Sequence, residues 1–289
     1  MKIKTLLALA LLINPILASG ETEDDETVVA EAPKKKGRHA VDSVKNSHIT
    51  VMDLSNEREL TNIEFLVYFQ NLRELNLEYC NMLKDSYHSV SGLTNLRKIN
   101  LRDVKLTTTI HLRPLVNLTS LNLSANPDLT TVRDIITLTK LKKLDLGGNS
   151  ELTDLERLAQ LTSLRNLSLN GIFNNDNISY PSLDFIAALT NLRKLNLGSN
   201  DWLFYIKPLV GLSHLTHLDL SASRDIKDLP LIGVITTLEK LNLRFIYSGC
   251  PASIIKPMFL ATLTRLRSLT MDRGLDIPPL LPSVQVHEY

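Results

Sequence analysis

The chain has few cysteines, few aromatic residues and almost no net charge. Its 289 residues include two cysteines and one tryptophan, aromatic residues make up 5% of them, and the formal net charge is +1. A chain without a positive excess is a poor partner for a polyanion, which argues against nucleic-acid binding. The seven histidines show no metal-ligand spacing, and no glycine-rich phosphate loop precedes a helix. The sequence therefore predicts neither a metal nor another cofactor.

Long apolar runs are also missing, which leaves no candidate for a stable membrane span. The apolar stretch 6–13 is too short to cross a bilayer, but Lys2 and Lys4 precede it and small residues follow at 17–20. This order is typical of a secretory signal peptide, which we assign to residues 1–20. Residues 21–40 combine an acidic block and a basic block with little apolar surface, so we expect a disordered charged tether. Residues 41–289 form the folded domain, and the protein is predicted to be exported, either secreted or periplasmic.

One repeat pattern fills that domain: leucine, two variable residues, leucine, one variable residue, leucine. Its clear copies start 22 to 24 residues apart, with two gaps of 28, at Leu72, Leu96, Leu118, Leu141, Leu164, Leu192, Leu215, Leu238 and Leu266. A degenerate copy at Ile49 makes about ten repeats, terminal caps included. Alternation predicts a short strand in each, with Leu144 and Leu146 inward and Lys143 and Asp145 outward. Because one repeat cannot bury its leucines alone, the strands should stack in parallel.

The segments RPLVNLTSLNLS at 113–124 and KPLVGL at 207–212 resemble the leucine-rich-repeat family. The resemblance is to the short-repeat class of bacterial internalins and protein phosphatase regulatory subunits, and it covers residues 49 to about 274. It implies an α/β solenoid, a horseshoe with a concave parallel β-sheet and a convex side of mostly 3₁₀ or short helical segments. It also implies a binding scaffold and not an enzyme. Asn126, Asn149 and Asn200 stand where the chain leaves the strand, and we expect them to turn inward and bond backbone groups.

The sequence also has a second period that is longer than one repeat. The two long gaps are 74 residues apart, and the inserted segments match at Ile172 and Ile246, Phe185 and Phe259, and Leu189 and Leu263. We infer duplication of a three-repeat block. Each long segment has room for a true convex helix, beginning near Pro181 and near Pro257, whereas the short repeats should carry only 3₁₀ turns.

The two cysteines are predicted not to pair. Cys80 closes the first clear repeat and Cys250 lies in the second insertion, so seven strand spacings, roughly 34 Å, separate their repeats. We interpret Cys80 as a buried apolar residue and Cys250 as exposed, with a disulfide between two molecules as the alternative for Cys250.

One strand carries the three residue types of a serine hydrolase, His217, Asp219 and Ser221. Alternate strand residues lie roughly 7 Å apart and side by side, beyond the reach of about 3 Å that a nucleophile and its base need. Each also occupies a position that every repeat fills. We therefore predict no enzyme activity.

Two outward columns are candidates for partner binding. The central column is polar and includes Asn122, Asp145, Asn196, Asp219 and Asn242. The column before it is basic and includes Lys98, Lys143, Lys194, His217 and Lys240. Two interpretations stay open: a solvated face that keeps the sheet soluble, or a surface for an acidic protein or glycan.

Repeat six, counted from Leu72, carries a third candidate. Trp202, Phe204 and Tyr205 flank Leu203 where other repeats have polar residues. Clustered exposed aromatics usually mark a partner contact. The alternative is that the insertion at 171–180 folds over them.

Together these observations predict an exported protein-interaction scaffold that holds a protein partner through its concave sheet and the aromatic edge of repeat six. The alternative is a carbohydrate-binding or cell-surface adhesion module, which the same Asn, Asp and aromatic side chains could serve.

Overall fold

Short strands and 3₁₀ helices alternate along the chain and wind it into a solenoid. The computed structural model describes residues 48–172, 182–201, 203–246, 257–273, 277–280 and 282–289. The described strands are β1 (Val51–Asp53), β2 (Glu74–Asn76), β3 (Lys98–Asn100), β4 (Ser120–Asn122), β5 (Lys143–Asp145), β6 (Asn166–Ser168), β7 (Lys194–Asn196), β8 (His217–Asp219), β9 (Lys240–Asn242), β10 (Ser268–Met271) and β11 (Gln285–Glu288). They form one 11-stranded sheet in sequence order.

Every neighbouring pair of these strands is parallel and in the register of the repeat. Lys143 pairs with Asn166, Asn166 with Lys194, and Lys194 with His217, so equivalent positions form straight columns across the sheet. The predicted concave parallel sheet of a leucine-rich-repeat solenoid is thereby confirmed. The signal peptide and tether assigned to residues 1–40 lie outside the described residues and stay predictions.

The core is one continuous column of apolar side chains inside the coils, from Met52 to Met271. In each strand the central residue is buried, as with Leu144 at 2% exposure, while its neighbours Lys143 and Asp145 face outward. A fully buried leucine contributes roughly 1.5 to 3 kcal/mol before the entropy of ordering is subtracted. Since each coil is covered only by the next, this stabilisation depends on stacking.

The convex side consists of 3₁₀ helices in the described part of the chain. They span Glu64–Tyr68, Lys84–Gly92, Ile110–Leu112, Ile135–Thr137, Leu155–Gln160, Asp184–Ala188, Lys207–Gly211, Leu229–Val234 and Met258–Thr262. This confirms the expectation for the short repeats. The prediction of an α-helix in each of the two long repeats is wrong for the described residues. There, Asp184–Ala188 and Met258–Thr262 are also 3₁₀ helices.

The reason lies in the spacing of buried residues before each strand. Leu155, Leu158, Leu161 and Leu164 are buried at intervals of three, which match the three residues per turn of a 3₁₀ helix and not the 3.6 of an α-helix. The long repeats keep this spacing, for example at Leu183, Ile186, Leu189 and Leu192. The extra residues of the long repeats are 173–181 and 247–256, which come before each 3₁₀ helix in the sequence and lie outside the described ranges.

The C-terminal end adds a strand that the leucine pattern does not predict. Residues Gln285–Glu288 pair in parallel with β10 and form the edge of the sheet. Leu269 aligns with Val286, only 17 residues later, so this last connection is shorter than any repeat. The four residues are exposed, which explains why they lack the repeat's leucines.

Inward polar residues join the coils where the chain leaves each strand. Asn149 is fully buried. Its side-chain Nδ2 donates to the backbone carbonyls of Leu123 (3.1 Å) and Leu146 (2.7 Å). Its side-chain Oδ1 accepts the backbone amide of Asn126 (2.7 Å). Asn126 and Asn200 make equivalent bonds, as expected from the sequence. Ser223 continues this asparagine ladder through its hydroxyl.

Cys80 occupies the same position and is buried, as predicted. Its thiol lies 3.0 Å from the carbonyl oxygen of Leu54, so it donates to the preceding coil as the asparagines do. Burial raises the pKa of the Cys80 thiol to about 11. Cys250 falls outside the described residues.

The residue before each ladder position adopts a left-handed backbone conformation. The φ angle lies between 48° and 70° at Asn56, Tyr79, Asp103, Ala125, Gly148, Gly171, Ser199, Ala222 and Phe245. Most of these amides donate to a carbonyl of the next coil, as Ala125 does to Gly147 at 2.7 Å. Left-handed conformations cost energy in residues other than glycine, so the bonds between coils hold a strained turn in place.

We expect Asn149→Ala to lower the free energy of unfolding by about 3 kcal/mol, because it removes the bonds to the buried Asn126 amide and Leu146 carbonyl and one of the two bonds to the Leu123 carbonyl. Urea denaturation measures the change. The matched control is Asn95→Ala, which removes one exposed bond to Gln70 and should change stability by less than about 0.5 kcal/mol. Equal losses in both variants would contradict the role of the ladder.

We also expect the Cys80 thiol to be unreactive in the folded protein, because burial and its high pKa keep it protonated. In the Cys250→Ser variant, labelling by a disulfide reagent at pH 8 should be at least about a hundredfold slower than in denaturant. Similar rates in the two states would show that the Cys80 coil opens readily.

Candidate functional site

The concave face of the sheet forms an open groove with a volume of about 550 Å³. It spans β4 to β10, and the first and third residues of each short strand line it. The predicted binding residues on this groove are Asn122, Lys143, Asp145, Lys194, Asn196, His217, Asp219, Lys240 and Asn242. The parallel register therefore brings the predicted concave residues to one face of the sheet, and all but Lys98 on β3 line the groove.

The polar column at the third strand position has a structural role that the sequence analysis did not recognise. The side-chain oxygen of Asn122 accepts the Ser124 amide at 2.9 Å, and that of Asp145 accepts the Gly147 amide at 3.0 Å. Asn196, Asp219 and Asn242 bond the amide two residues later in the same way. These bonds turn the chain out of the strand. One side-chain oxygen per residue is thus occupied, and the second polar atoms of Asp219 and Asn242 bond each other at 3.0 Å.

The basic column at the first strand position divides into two parts. On β3, the Lys98 ammonium lies 2.8 Å from the carboxylate of Glu74 on β2, so its charge is neutralised within the sheet. On β7, β8 and β9, the residues Lys194, His217 and Lys240 are adjacent in register, and we call them the basic row. In the described residues, no carboxylate forms an ion pair with any of the three.

His217 responds to its neighbours in the basic row. Partial burial, together with the positive charges of Lys194 and Lys240, lowers the pKa of His217 below its ordinary value, and Glu239 opposes them. The Nδ1 atom lies 2.9 Å from the Thr216 hydroxyl oxygen. The imidazole is therefore neutral near pH 7, and a proton added at lower pH creates a third positive charge on this part of the groove.

The hydrolase-like trio does not assemble into a catalytic arrangement. The Ser221 hydroxyl donates to Asp219 at 2.6 Å, and the Asp219 carboxylate also accepts the Ser221 amide and the Asn242 side chain. Nδ1 of His217 lies against Thr216 instead. Asp219 and Ser221 thus complete the turn at the end of β8.

Phe204 and Tyr205 of repeat six lie on a different surface. Phe204 and Tyr205 line a groove of about 690 Å³ together with the segments around Ser182–Asp184 and Lys207–Pro208. Tyr205 is 64% exposed, and the Lys227 ammonium lies 5.9 Å from the centre of the Phe204 ring. Trp202 and most of the 171–180 insertion are outside the described residues. The alternative that this insertion folds over the aromatic residues therefore stays a prediction.

A further group, at the C-terminal end of the concave face, was not predicted as a unit. The Arg244 guanidinium lies 4.4 Å from the ring centre of Phe245 and 4.4 Å from that of Tyr289. Phe245 and Tyr289 are 44% and 59% exposed. Stacked arginine and aromatic side chains are frequent in protein interfaces. The sequence gives no signal for the Tyr289 contact, because it depends on β11.

Other site classes find no support in the described part of the chain. It contains no group of three metal-ligating side chains, and none of its helices is both long enough and apolar enough to cross a membrane.

Comparison with known proteins supports the fold. No protein-family model and no curated protein matches the chain. Among solved structures, an internalin, InlF, from Listeria monocytogenes is 22% identical with a TM-score of 0.54, covering 97% of this chain and 89% of the internalin. Internalin C2 from the same species is 24% identical with a TM-score of 0.50, covering 74% of this chain and 92% of its own. At this identity, the likeness establishes a shared leucine-rich-repeat solenoid fold.

We expect Lys194→Gln and Lys240→Gln each to raise the pKa of His217, because each removes a positive charge that disfavours the imidazolium. Titration of the imidazole signals by NMR measures the pKa. The control Lys98→Gln removes a lysine of the same column on β3, five strands away from His217 on β8, and should leave the His217 pKa unchanged. A pKa insensitive to both neighbours would place the lysine charges farther away than the register implies.

Proposed function

We propose that this leucine-rich-repeat solenoid is an exported protein-interaction scaffold that binds a protein partner through its concave face. The observation that carries the proposal is the groove across β4 to β10, where outward side chains follow one another in straight columns. The expected export rests on the signal-peptide pattern at residues 1–20.

The chemistry of the groove suits a protein surface. Its floor presents amide and carboxylate atoms of Asn122, Asp145 and Asn196 that strand ends do not use, and its first column presents lysines. A backbone held by bonds between all coils keeps these groups in place before binding, which reduces the entropy lost on association. The Arg244, Phe245 and Tyr289 group adds stacked aromatic surface at one end.

The aromatic edge of repeat six is proposed as a second contact. Tyr205 is exposed beside a groove, where its equivalents Asp154 and Asp228 bond backbone amides of the preceding coil. An exposed tyrosine in place of a residue with a structural bond suggests a role outside the coil. Trp202 and Phe204 are included in this proposal.

Photo-crosslinking tests which face binds. A benzophenone amino acid at Ser168, in the centre of the groove, should crosslink the full chain to a discrete protein from the medium and cell surface of its source culture. The same group at Val234, 57% exposed on the convex helix Leu229–Val234, is the control and should give a much lower yield. Equal yields from both positions would contradict concave binding.

Variants then separate the two contacts. Lys143→Glu combined with Lys194→Glu should reduce capture by about tenfold or more, because it reverses two charges on the groove. Trp202→Ala should reduce capture independently if the aromatic edge takes part. A glycan array tests the alternative function, a carbohydrate-binding module. Binding to defined sugars without any crosslinked protein would support that alternative.

A further inference from the structure

Positive charge is concentrated at one place on the concave face. The basic row of Lys194, His217 and Lys240 occupies three successive strands, at a spacing of about 4.8 Å, so it extends roughly 10 Å across the groove. Both lysines are exposed, and His217 is half-buried between them.

In the described residues, no ion pair neutralises this charge. Asp219 is the carboxylate on the same face of β8 and keeps its charge, but its oxygens bond the amide and hydroxyl of Ser221 and the Asn242 amide, and not the basic row. The same column at β2 and β3 differs, because Glu74 stands beside Lys98 and pairs with it at 2.8 Å. Lys194 and Lys240 repel each other across the His217 strand, and protonation of His217 would place like charges on adjacent strands, so this arrangement favours an anionic ligand that offsets them.

We propose that the basic row binds an acidic peptide segment of the partner, with two or more Asp or Glu carboxylates placed on Lys194, His217 and Lys240. This inference rests on the proposed function and adds the chemistry of the recognised segment. Alternate side chains of an extended peptide lie about 7 Å apart, a distance that fits within the length of the row. Each ammonium can donate a charge-assisted hydrogen bond to one carboxylate.

The neighbouring column favours a peptide over a polyanion. Asn196, Asp219 and Asn242 run parallel to the basic row two residues farther along the strands. A ligand with negative charge along its whole length, such as a sulfated glycan, would bring some of that charge close to Asp219. A peptide can present carboxylates to the basic row and neutral amide and carbonyl groups, which donate and accept hydrogen bonds, to the polar column.

Acidification should strengthen this contact. Lys194 and Lys240 face His217 from β7 and β9, Asp219 lies on its own strand, and Glu239 lies one residue before Lys240. A bound carboxylate offsets the lysine charges and favours the imidazolium. Glutamate, with an ordinary pKa of about 4.3, remains mostly ionised at pH 5.5, so His217 is the group of the basic row that can gain a charge as the pH falls.

The test uses the full chain and a fluorescent eight-residue peptide of alternating Glu and Ser, with fluorescence anisotropy at low salt. We expect the peptide to bind about three- to tenfold more tightly at pH 5.5 than at 7.5. Lys194→Gln combined with Lys240→Gln should weaken binding by about tenfold or more at both pH values. His217→Gln should bind as wild type does at pH 7.5 and lose the pH dependence.

Matched controls isolate the basic row. Lys98→Gln removes the paired lysine of the same column and should leave peptide binding unchanged. A peptide of alternating Gln and Ser should not bind.

Three outcomes would overturn the inference: equal binding of the Gln peptide, an equal loss with Lys98→Gln, or tighter binding of a heparin oligosaccharide than of the Glu peptide. If the groove crosslinks a protein but the basic row fails these tests, the proposed function stands and only the acidic-segment inference fails. If the Glu peptide binds as described while Ser168 crosslinks no protein, the proposed function fails instead.

Discussion

Each coil of this solenoid is protected from water only by the coil beside it. The leucines of a strand and its 3₁₀ helix point inward, and the hydrogen-bonding groups at the strand end are satisfied by Asn126, Asn149, Asn200, Ser223 or Cys80 from an adjoining coil. Stability therefore comes from contacts between neighbours and not from any coil alone. The same requirement fixes the register, since a shift of one residue would turn every leucine outward.

The fixed register also determines the chemistry of the concave face. Equivalent residues follow each other at the strand spacing, so one type of substitution repeated in adjacent coils becomes a continuous stripe. The third position is restricted, because its side chain ends the strand by bonding the amide two residues later. The side chain at the first strand position does not make this turn bond, and the residue there varies from Glu74 through Lys98 to His217. Binding specificity on this face can therefore be set mainly at the first position.

Much of this arrangement could be predicted from the sequence because the repeat is strict. The strands, the inward asparagines and the burial of Cys80 all follow from leucine spacing. The 3₁₀ helices of the long repeats were missed, although buried residues at intervals of three, as in Leu183, Ile186 and Leu189, carry that signal. The strand β11 could not be predicted, because it lies at an exposed edge and needs no leucines.

The side-chain pairings were less predictable than the columns. The sequence placed Lys98 with the other lysines, but only the register puts Glu74 beside it and leaves Lys194 without an acidic neighbour. The stack of Arg244 with Phe245 and Tyr289 brings Tyr289 beside two residues that lie more than 40 positions earlier in the sequence, through a strand with no repeat signature. Contacts of this kind depend on three-dimensional neighbours that repeat spacing does not encode.

The 74-residue period has a consequence for how such a protein can change over evolutionary time. Because all coils meet through the same leucines and the same backbone bonds, unequal recombination between the two related blocks would insert or delete three whole strands, roughly 14 Å of sheet. Both terminal strands would survive such an event. The sheet could thus become longer or shorter in steps of three strands, without an intermediate sequence that fails to fold.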